Sequence, residues 1–228
     1  MLDWTFPMPN NADEDLTTWA DRIEAVIART EHCCVDRVAV VAETASTQDA
    51  AAAMAGAGEI GSRLMLLAGA QKSGRGRMGR KWDSGTRGLT ATIALPDQGM
   101  STEWLSLAGG LAMYLTCHGL LGEQADRLRV KSPNDLVVLE ADGAKRLKLG
   151  GVLAERRAGL VLVGFGINVT QRDGDWNATL AGSAVSLAQL GCGASRIEVA
   201  ERLVGAISKV FAMDQAEVEL ELADVLTH

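Results

Sequence analysis

Apolar residues recur at Leu16, Trp19, Ile23, Val26 and Ile27, a helical stripe that predicts one amphipathic helix over Asp13–Thr30. The period then changes. Val35 to Ala42 is rich in β formers and predicts a strand. Ser46 stands where a cap would start an alanine-rich helix running to about Ala55 and ending at Gly56 and Gly58. Leu64 to Ala70 reads as a short buried strand, and Leu89 to Leu95 alternates threonine with apolar residues as a second. A long helix, apolar on all sides, follows near Thr102–Leu121. Leu128 to Lys131 predicts a strand, Ser132-Pro133-Asn134-Asp135 a break, and Leu136 to Leu139 its resumption. A hairpin turn is expected at Ala141-Asp142-Gly143-Ala144. Leu147 to Glu155 and Leu160 to Val169 read as two strands joined through Arg157-Ala158-Gly159. Residues 170–182 read as loop, Ser183–Leu190 as a helix, and Arg196 to Met213 or beyond as another. Helices flanking a cluster of strands with one long helix inserted describe an α+β chain with a mixed, largely antiparallel sheet packed with helices.

Composition narrows this picture. At 228 residues the chain fits one domain with a real core. The boundary is drawn between an N-terminal arm and helix, residues 1–32, and a main domain, residues 33–228. The pI near 5 argues against general nucleic-acid binding, and a single N-terminal helix is too little for a DNA-binding domain. Cys33, Cys34, Cys117 and Cys192 show no metal spacing and read as reduced, mostly buried thiols of a cytoplasmic protein. The acidic start, Met1 to Asp15, has no apolar core of a secretory signal. Trp104 to Gly122 carries no Asp, Glu, Lys or Arg. Its polar residues and four glycines favour a buried core helix over a membrane span.

Charge patterning singles out Lys72 to Trp82. Five of these eleven residues are cationic, none is acidic, and three glycines lie between them, in a chain of formal net charge −7. Glycine lets backbone N–H groups approach a ligand, and arginine forks suit carboxylate and phosphate. The stretch therefore predicts a loop that folds over an anionic small molecule, against the plainer reading of a solvated basic loop. Gly74-Arg75-Gly76-Arg77-Met78-Gly79 matches G-x-G-x-x-G, but no helix is expected to begin there as a dinucleotide fold requires. Kinase and P-loop signatures are absent.

Four weaker constellations follow. Asn134 and Asp135 sit at a strand break where a carboxylate could hold Mg²⁺ with phosphate oxygens, or simply form a turn. Lys148-Leu149-Gly150-Gly151 interrupts a strand, either for ligand approach or as a β-bulge. Gly164-Phe165-Gly166-Ile167-Asn168 does the same before an amide. Ser46-Thr47-Gln48 opens a helix and is by itself a plain cap.

Taken in order, these residues resemble the biotin protein ligase family over Val38 to Val169. The family runs Ser-Thr-Asn, Gln-x-x-Gly-Arg-Gly-Arg-x-Gly-Arg-x-Trp, Lys-Trp-Pro-Asn-Asp, Lys-Leu-x-Gly-Ile-Leu-x-Glu and Gly-x-Gly-Ile-Asn. This chain has Ser46-Thr47-Gln48, Gln71 through Trp82, Lys131 through Asp135, Lys148 through Glu155, and Gly164 through Asn168. The resemblance implies the biotin–lipoate ligase catalytic fold, which is similar to class II aminoacyl-tRNA synthetases. It implies ATP-dependent activation of biotin as biotinyl-5'-AMP, with Mg²⁺, and transfer to a lysine of a biotin carboxyl carrier domain. It implies that Ser46, Thr47, Gln71, Gly74, Arg75, Gly76 and Gly151 bind biotin. Arg77, Arg80, Trp82, Asn134, Asp135, Lys148 and Asn168 would hold the nucleotide, with Arg77 and Lys148 catalytic and Asp135 at the metal. Arg75, Arg77 and Arg80 would lie near the phosphate and carboxylate, and Asn168 would read the adenine edge. A homodimer is a candidate assembly; DNA and membrane are not expected partners.

The alternatives are a lipoyl or octanoyl ligase or transferase of the same fold, whose Arg-Arg-x-Ser-Gly-Gly-Gly type signature is missing, or a non-catalytic biotin or nucleotide sensor. Two departures stand out: Gln48 ends the first signature, and Ser132 replaces tryptophan in the third. Met78 or Leu149 could fill the space left at Ser132, or a wetter pocket could remain. Neither an N-terminal DNA-binding domain nor the small C-terminal β domain of many members is expected.

Overall fold

The computed structural model describes residues 15–56, 63–140, 143 and 145–227. The expected arm at 1–11, the stop at Gly58 and most of the turn at 141–144 lie outside them.

Eight strands form one sheet, in the order β1 (Arg37–Thr44), β2 (Leu64–Gln71), β5 (Gly88–Pro96), β9 (Leu160–Asn168), β8 (Arg146–Arg157), β7 (Asp135–Leu139), β6 (Leu128–Lys131) and β10 (Leu226–Thr227). The two outermost pairs, β1 with β2 and β6 with β10, are parallel. All other neighbours are antiparallel. A two-stranded ribbon, β3 (Gly74–Arg75) and β4 (Lys81–Trp82), stands outside this sheet. The mixed, largely antiparallel α+β architecture expected from the strand pattern is the one observed.

Side chains alternate across a strand, so each strand serves two faces. Met65 and Leu67, Leu89, Ala91 and Ile93, and Val161, Val163, Phe165 and Ile167 enter the main core. There they meet α1 (Trp19–Arg29), α3 (Thr102–Leu121), α4 (Arg196–Phe211) and α5 (Gln215–Ala223). The opposite face carries Leu64, Leu66, Ala94 and Leu162, which pack on α2 (Thr47–Gly56). Further along that face β9 places Gly164 under Gln48 of α2 and Gly166 under the Trp82 ring, so the strand there is bare of side chains of its own.

Capping fixes the helix ends. Ser101 accepts from Trp104 N at the start of α3. Ser195 with Glu198 and Asp214 with Glu217 form capping boxes on α4 and α5. Arg196 is buried, donates to Gly69 O at 2.7 Å and stacks 4.9 Å from the Trp19 ring centroid, which joins α4 to α1 and β2. Helix α3 is long and apolar enough to cross a membrane, yet eleven of its residues are buried inside the protein.

Four expectations change. The N-terminal helix does not stand apart, because Trp19, Ile23 and Val26 belong to the main core; the division at residue 32 is not a structural boundary. No α-helix forms at Ser183–Leu190. Lys148 N donates to Ser183 O and Val185 N to Lys148 O, which draws this segment against β8 and leaves one 3-10 turn, Ala188–Leu190. The last helix is two, because Asp214 caps a new one after a break at Met213. Strand β10 is too short to show a period. Finally, Cys117 alone of the four free cysteines is fully buried.

Helix α3 touches the sheet through glycine. A Cβ at Gly109 would lie 2.8 Å from Val152 Cγ1, whereas one at Gly119 would meet nothing nearer than Arg202 Nη1 at 3.6 Å. Gly109→Ala is therefore expected to destabilise by about 1–3 kcal/mol through overpacking. Gly119→Ala should stabilise by up to about 1 kcal/mol through helix propensity. Urea denaturation of both variants checks this; equal stability would contradict the packing of α3 on β8.

Candidate active site

Two chambers open on the bare part of the sheet, and they share Gly76, Arg77, Trp82, Asn134 and Lys148. The inner one is a narrow cavity of about 60 Å³ between α2, β8, β9 and the glycine–arginine loop. Ser46, Thr47, Gln48, Gln71, Arg75 and Gly151 line it. The outer one, about 490 Å³, is lined by Arg80, Lys131, Ser132, Asp135, Asn168 and Trp176 among others.

Hydrogen bonds preorganise the inner wall. Gln71 Oε1 accepts from Thr47 N at 2.7 Å and Thr47 Oγ1 at 3.1 Å, and Thr92 Oγ1 donates to Thr47 Oγ1 at 2.9 Å. Gln48 Nε2 donates to Leu153 O at 2.6 Å, which fixes the amide orientation. Its Oε1 is then a buried acceptor with no partner. A Cβ at Gly164 would stand 2.8 Å from Gln48 Nε2, so this glycine is what admits the longer side chain.

The loop is held by its own chemistry. Gly74 lies so close to Gln71 Nε2 and the Trp82 carbonyl that no side chain would fit. The Trp82 ring occupies the place a Cβ on Gly166 would take, 2.3 Å from Cε2. Its Nε1 is a buried donor without a partner. Arg77 donates to Asn134 Oδ1 at 3.1 Å. Met78 turns with φ 56° and is 82% exposed at the loop tip.

Lys148 sits where the chambers meet. Strand β8 carries one extra residue against β7, since Leu136 pairs with Gly150 but Val137 with Lys148. Such a bulge re-aims the neighbouring side chain. The stretch is a β-bulge, and its Lys148 and Gly151 line the inner chamber. Gly150 serves packing instead, against Met113 and the Gly166 carbonyl. Lys148 Nζ donates to Asp135 Oδ1 at 2.7 Å and lies 5.6 Å from the Trp82 ring centroid.

Several expected side chains have other partners. The Arg75 guanidinium is engaged by Asp49 at 2.6 and 3.0 Å and by Glu155 at 3.4 Å, so two carboxylates already meet its charge at the rim of the inner chamber. Arg75 in turn holds the Asp49 carboxyl well below its usual range, at about 2. Asp135 accepts from Lys148 and from Asn134 Nδ2 at 3.1 Å. Among the described residues no group of three His, Cys, Asp or Glu side chains could hold a metal ion. Asp135 is one already-neutralised carboxylate, which does not fit a resident metal site. Asn168 spends both amide hydrogens on Lys148 O and Val185 O, each at 3.1 Å, leaving only Oδ1 for a ligand. Ser132 is exposed at the outer chamber, which Met78 also lines from the exposed loop tip, while Leu149 lies in the core.

Asp49, Arg157 and Trp176 carry no motif signal that would mark them as site residues, and Gln48 and Glu155, though each ends a signature, are not singled out as site residues by the sequence. Asp49 directly follows Ser46-Thr47-Gln48, but its partner Arg75 is 26 positions on and only the tertiary fold joins them.

A sequence profile of the Biotin/lipoate A/B protein ligase family matches residues 40–171. The chain is 35% identical over 170 residues to the biotin–[acetyl-CoA-carboxylase] ligase of Mycobacterium tuberculosis, which covers 72% of this chain and 60% of that protein. It thus spans less than two thirds of that relative's length. The biotin protein ligase of Leishmania major in complex with biotinyl-5-AMP superposes with a TM-score of 0.70 at 21% identity, over 85% of this chain and 83% of that one. The Aquifex aeolicus biotin protein ligase in complex with biotin and ATP gives 0.69 at 26% identity, over 83% and 78%. The matched residues include both strands that floor the chambers and the whole loop that covers them, and on that ground the chain belongs to the biotin/lipoate A/B protein ligase family.

Proposed function

We propose that this protein activates biotin with ATP and transfers it to a lysine of a biotin carboxyl carrier domain. The observation that carries the reading is the pair of chambers with Lys148 and Arg77 on their common wall. The inner chamber is small, and its unmatched Gln48 acceptor suits a neutral ring bearing N–H groups. There Ser46, Thr47 and Gln71 would bind the ureido end of biotin, and Gly76 and Gly151 let the backbone come close. The outer chamber has five cations, Arg77, Arg80, Lys81, Lys131 and Lys148, against Asp83 and Asp135, which suits a polyphosphate. Trp82 and Trp176 offer faces for a base, and Asn168 Oδ1 could accept from an exocyclic amine.

The chemistry follows from that layout. The carboxylate oxygen attacks the α-phosphorus, pyrophosphate leaves, and a mixed anhydride forms. A deprotonated carrier lysine amine then attacks the acyl carbon and AMP departs. Two anions must meet in the first step. Lys148 and Arg77 would offset their repulsion, and positioning supplies much of the rest. Asp135 holds Lys148 at the junction. A magnesium ion would depend on nucleotide phosphate oxygens rather than on a cage built by this chain. The loop would keep water from the anhydride. No protein nucleophile is required.

Incubation with ATP, Mg²⁺ and biotin should give biotinyl-adenylate by mass spectrometry, while lipoate should give little acyl-adenylate. A folded protein that forms none with biotin refutes the reading. Lys148→Ala and Arg77→Ala should each slow biotin-dependent pyrophosphate release by about 10²–10³-fold, as loss of one preorganised charge donor does. Wild-type turnover in both would misplace the anion.

A further inference from the structure

The glycine–arginine loop has few apolar anchors. Its tip residue Met78 is exposed, and β3 and β4 pair through only two residues each. Ordering such a segment costs about 1–2 kcal/mol of backbone entropy per residue. Something outside the loop must offset that cost if the loop is to be closed before a ligand arrives.

Four charges do so at one point. Arg75 reaches from β3 to Asp49 on α2 through two bonds and to Glu155 on β8 through a third. Arg157 braces the same two carboxylates, at 2.7 Å to Asp49 and 3.6 Å to Glu155. Two guanidiniums and two carboxylates balance, so the cluster adds no net charge to the chamber. The Arg75 and Asp49 side chains are 36% and 44% exposed, so the hold comes from the forked geometry and the four-charge network rather than from burial. It lies at the rim of the inner chamber, which Arg75 itself lines.

We propose that Asp49 and Glu155 are positioning residues that hold the Arg75 guanidinium, and through it the loop, closed over the inner chamber before the acyl substrate binds. The substrate named in the test rests on the biotin ligase reading. Arg75 then acts as a tether, and Arg77, Arg80 and Lys148 are the cations left to face the substrate. A binding-competent loop conformation that is only partly populated weakens apparent affinity by that fraction. Loosening the tether therefore acts on substrate affinity and leaves the bound-state chemistry alone.

The test is Asp49→Asn, with Asp49→Glu as the conservative rescue and Glu155→Gln as a second route should the first variant fold poorly. Pyrophosphate release gives KM for biotin and kcat. Tryptic cleavage after Arg75, Arg77, Arg80 and Lys81, followed by mass spectrometry, reads loop opening directly. Asp49→Asn should raise KM for biotin about tenfold with kcat changed less than about twofold, and should speed cleavage of the unliganded loop about tenfold. Biotin with ATP should restore protection, Asp49→Glu should recover most of KM, and Glu155→Gln should shift both readouts the same way but less. Wild-type KM and cleavage in both Asp49→Asn and Glu155→Gln overturn the proposal, as does a fall in kcat at unchanged KM. A wild-type chain that releases no pyrophosphate with biotin would refute the functional reading instead. Loop cleavage alone would then decide the tether, in either direction.

Discussion

The candidate site depends on one contact: the indole of Trp82 resting where any side chain on Gly166 would have to stand. That contact closes the glycine–arginine loop onto the sheet. It also sets the partition between a narrow inner chamber and a wide outer one. It needs a strand with no Cβ at that position, which glycine alone provides. The weakening that glycine brings to a strand is offset by position, because β9 is paired on both sides along its length. Gly164 repeats the device beneath Gln48.

Electrostatics then divides the loop's cations by task. Arg75 is neutralised by Asp49 and Glu155 at the rim of the inner chamber. Lys148 is held by Asp135 at the junction. Arg80, Lys81 and Lys131 line the outer chamber, where acidic side chains are the minority. A chain of formal net charge −7 thus gathers an excess of cations around the outer chamber. Arg75 is held by three contacts to carboxylates, whereas Lys148 has one carboxylate partner and Arg77 an amide. That distinction cannot be drawn from charge counts along the chain.

The scaffold explains why these groups keep their places. One sheet face is filled by the helical core and cannot shift without opening close-packed side chains. The bulge in β8 projects Lys148 from a strand anchored on both edges. The amide of Asn168 fastens β9 to the segment at Val185 and to β8 at Lys148. Side chains placed on strands paired along both edges are held more precisely than side chains on loops.

Much of this could be read from residue order. The alternation in β5 and β9, the capping residues of α3, and the uninterrupted apolar surface of α3 each report local physics. Hydrophobic period and cap chemistry act over one or two turns. The ordered signatures placed Lys148, Arg77 and Trp82 at a common site, because each needs a residue type that its surroundings do not otherwise call for. Other features were beyond local reading. Residues 183–187 have helical composition but form no α-helix, since β8 offers Ser183 and Val185 backbone partners at Lys148. Strand β10 exists only because β6 leaves an edge for two residues. Helix α1 joins the core through Trp19 and Arg196, which are far apart in the chain. Arg75 and Arg77 look alike in sequence, yet one meets Asp49 and the other Asn134. The sequence by itself determined which residues could carry charge, cap or turn. The tertiary structure decided which of them face each other, because pairing energies depend on distances that only the folded chain sets.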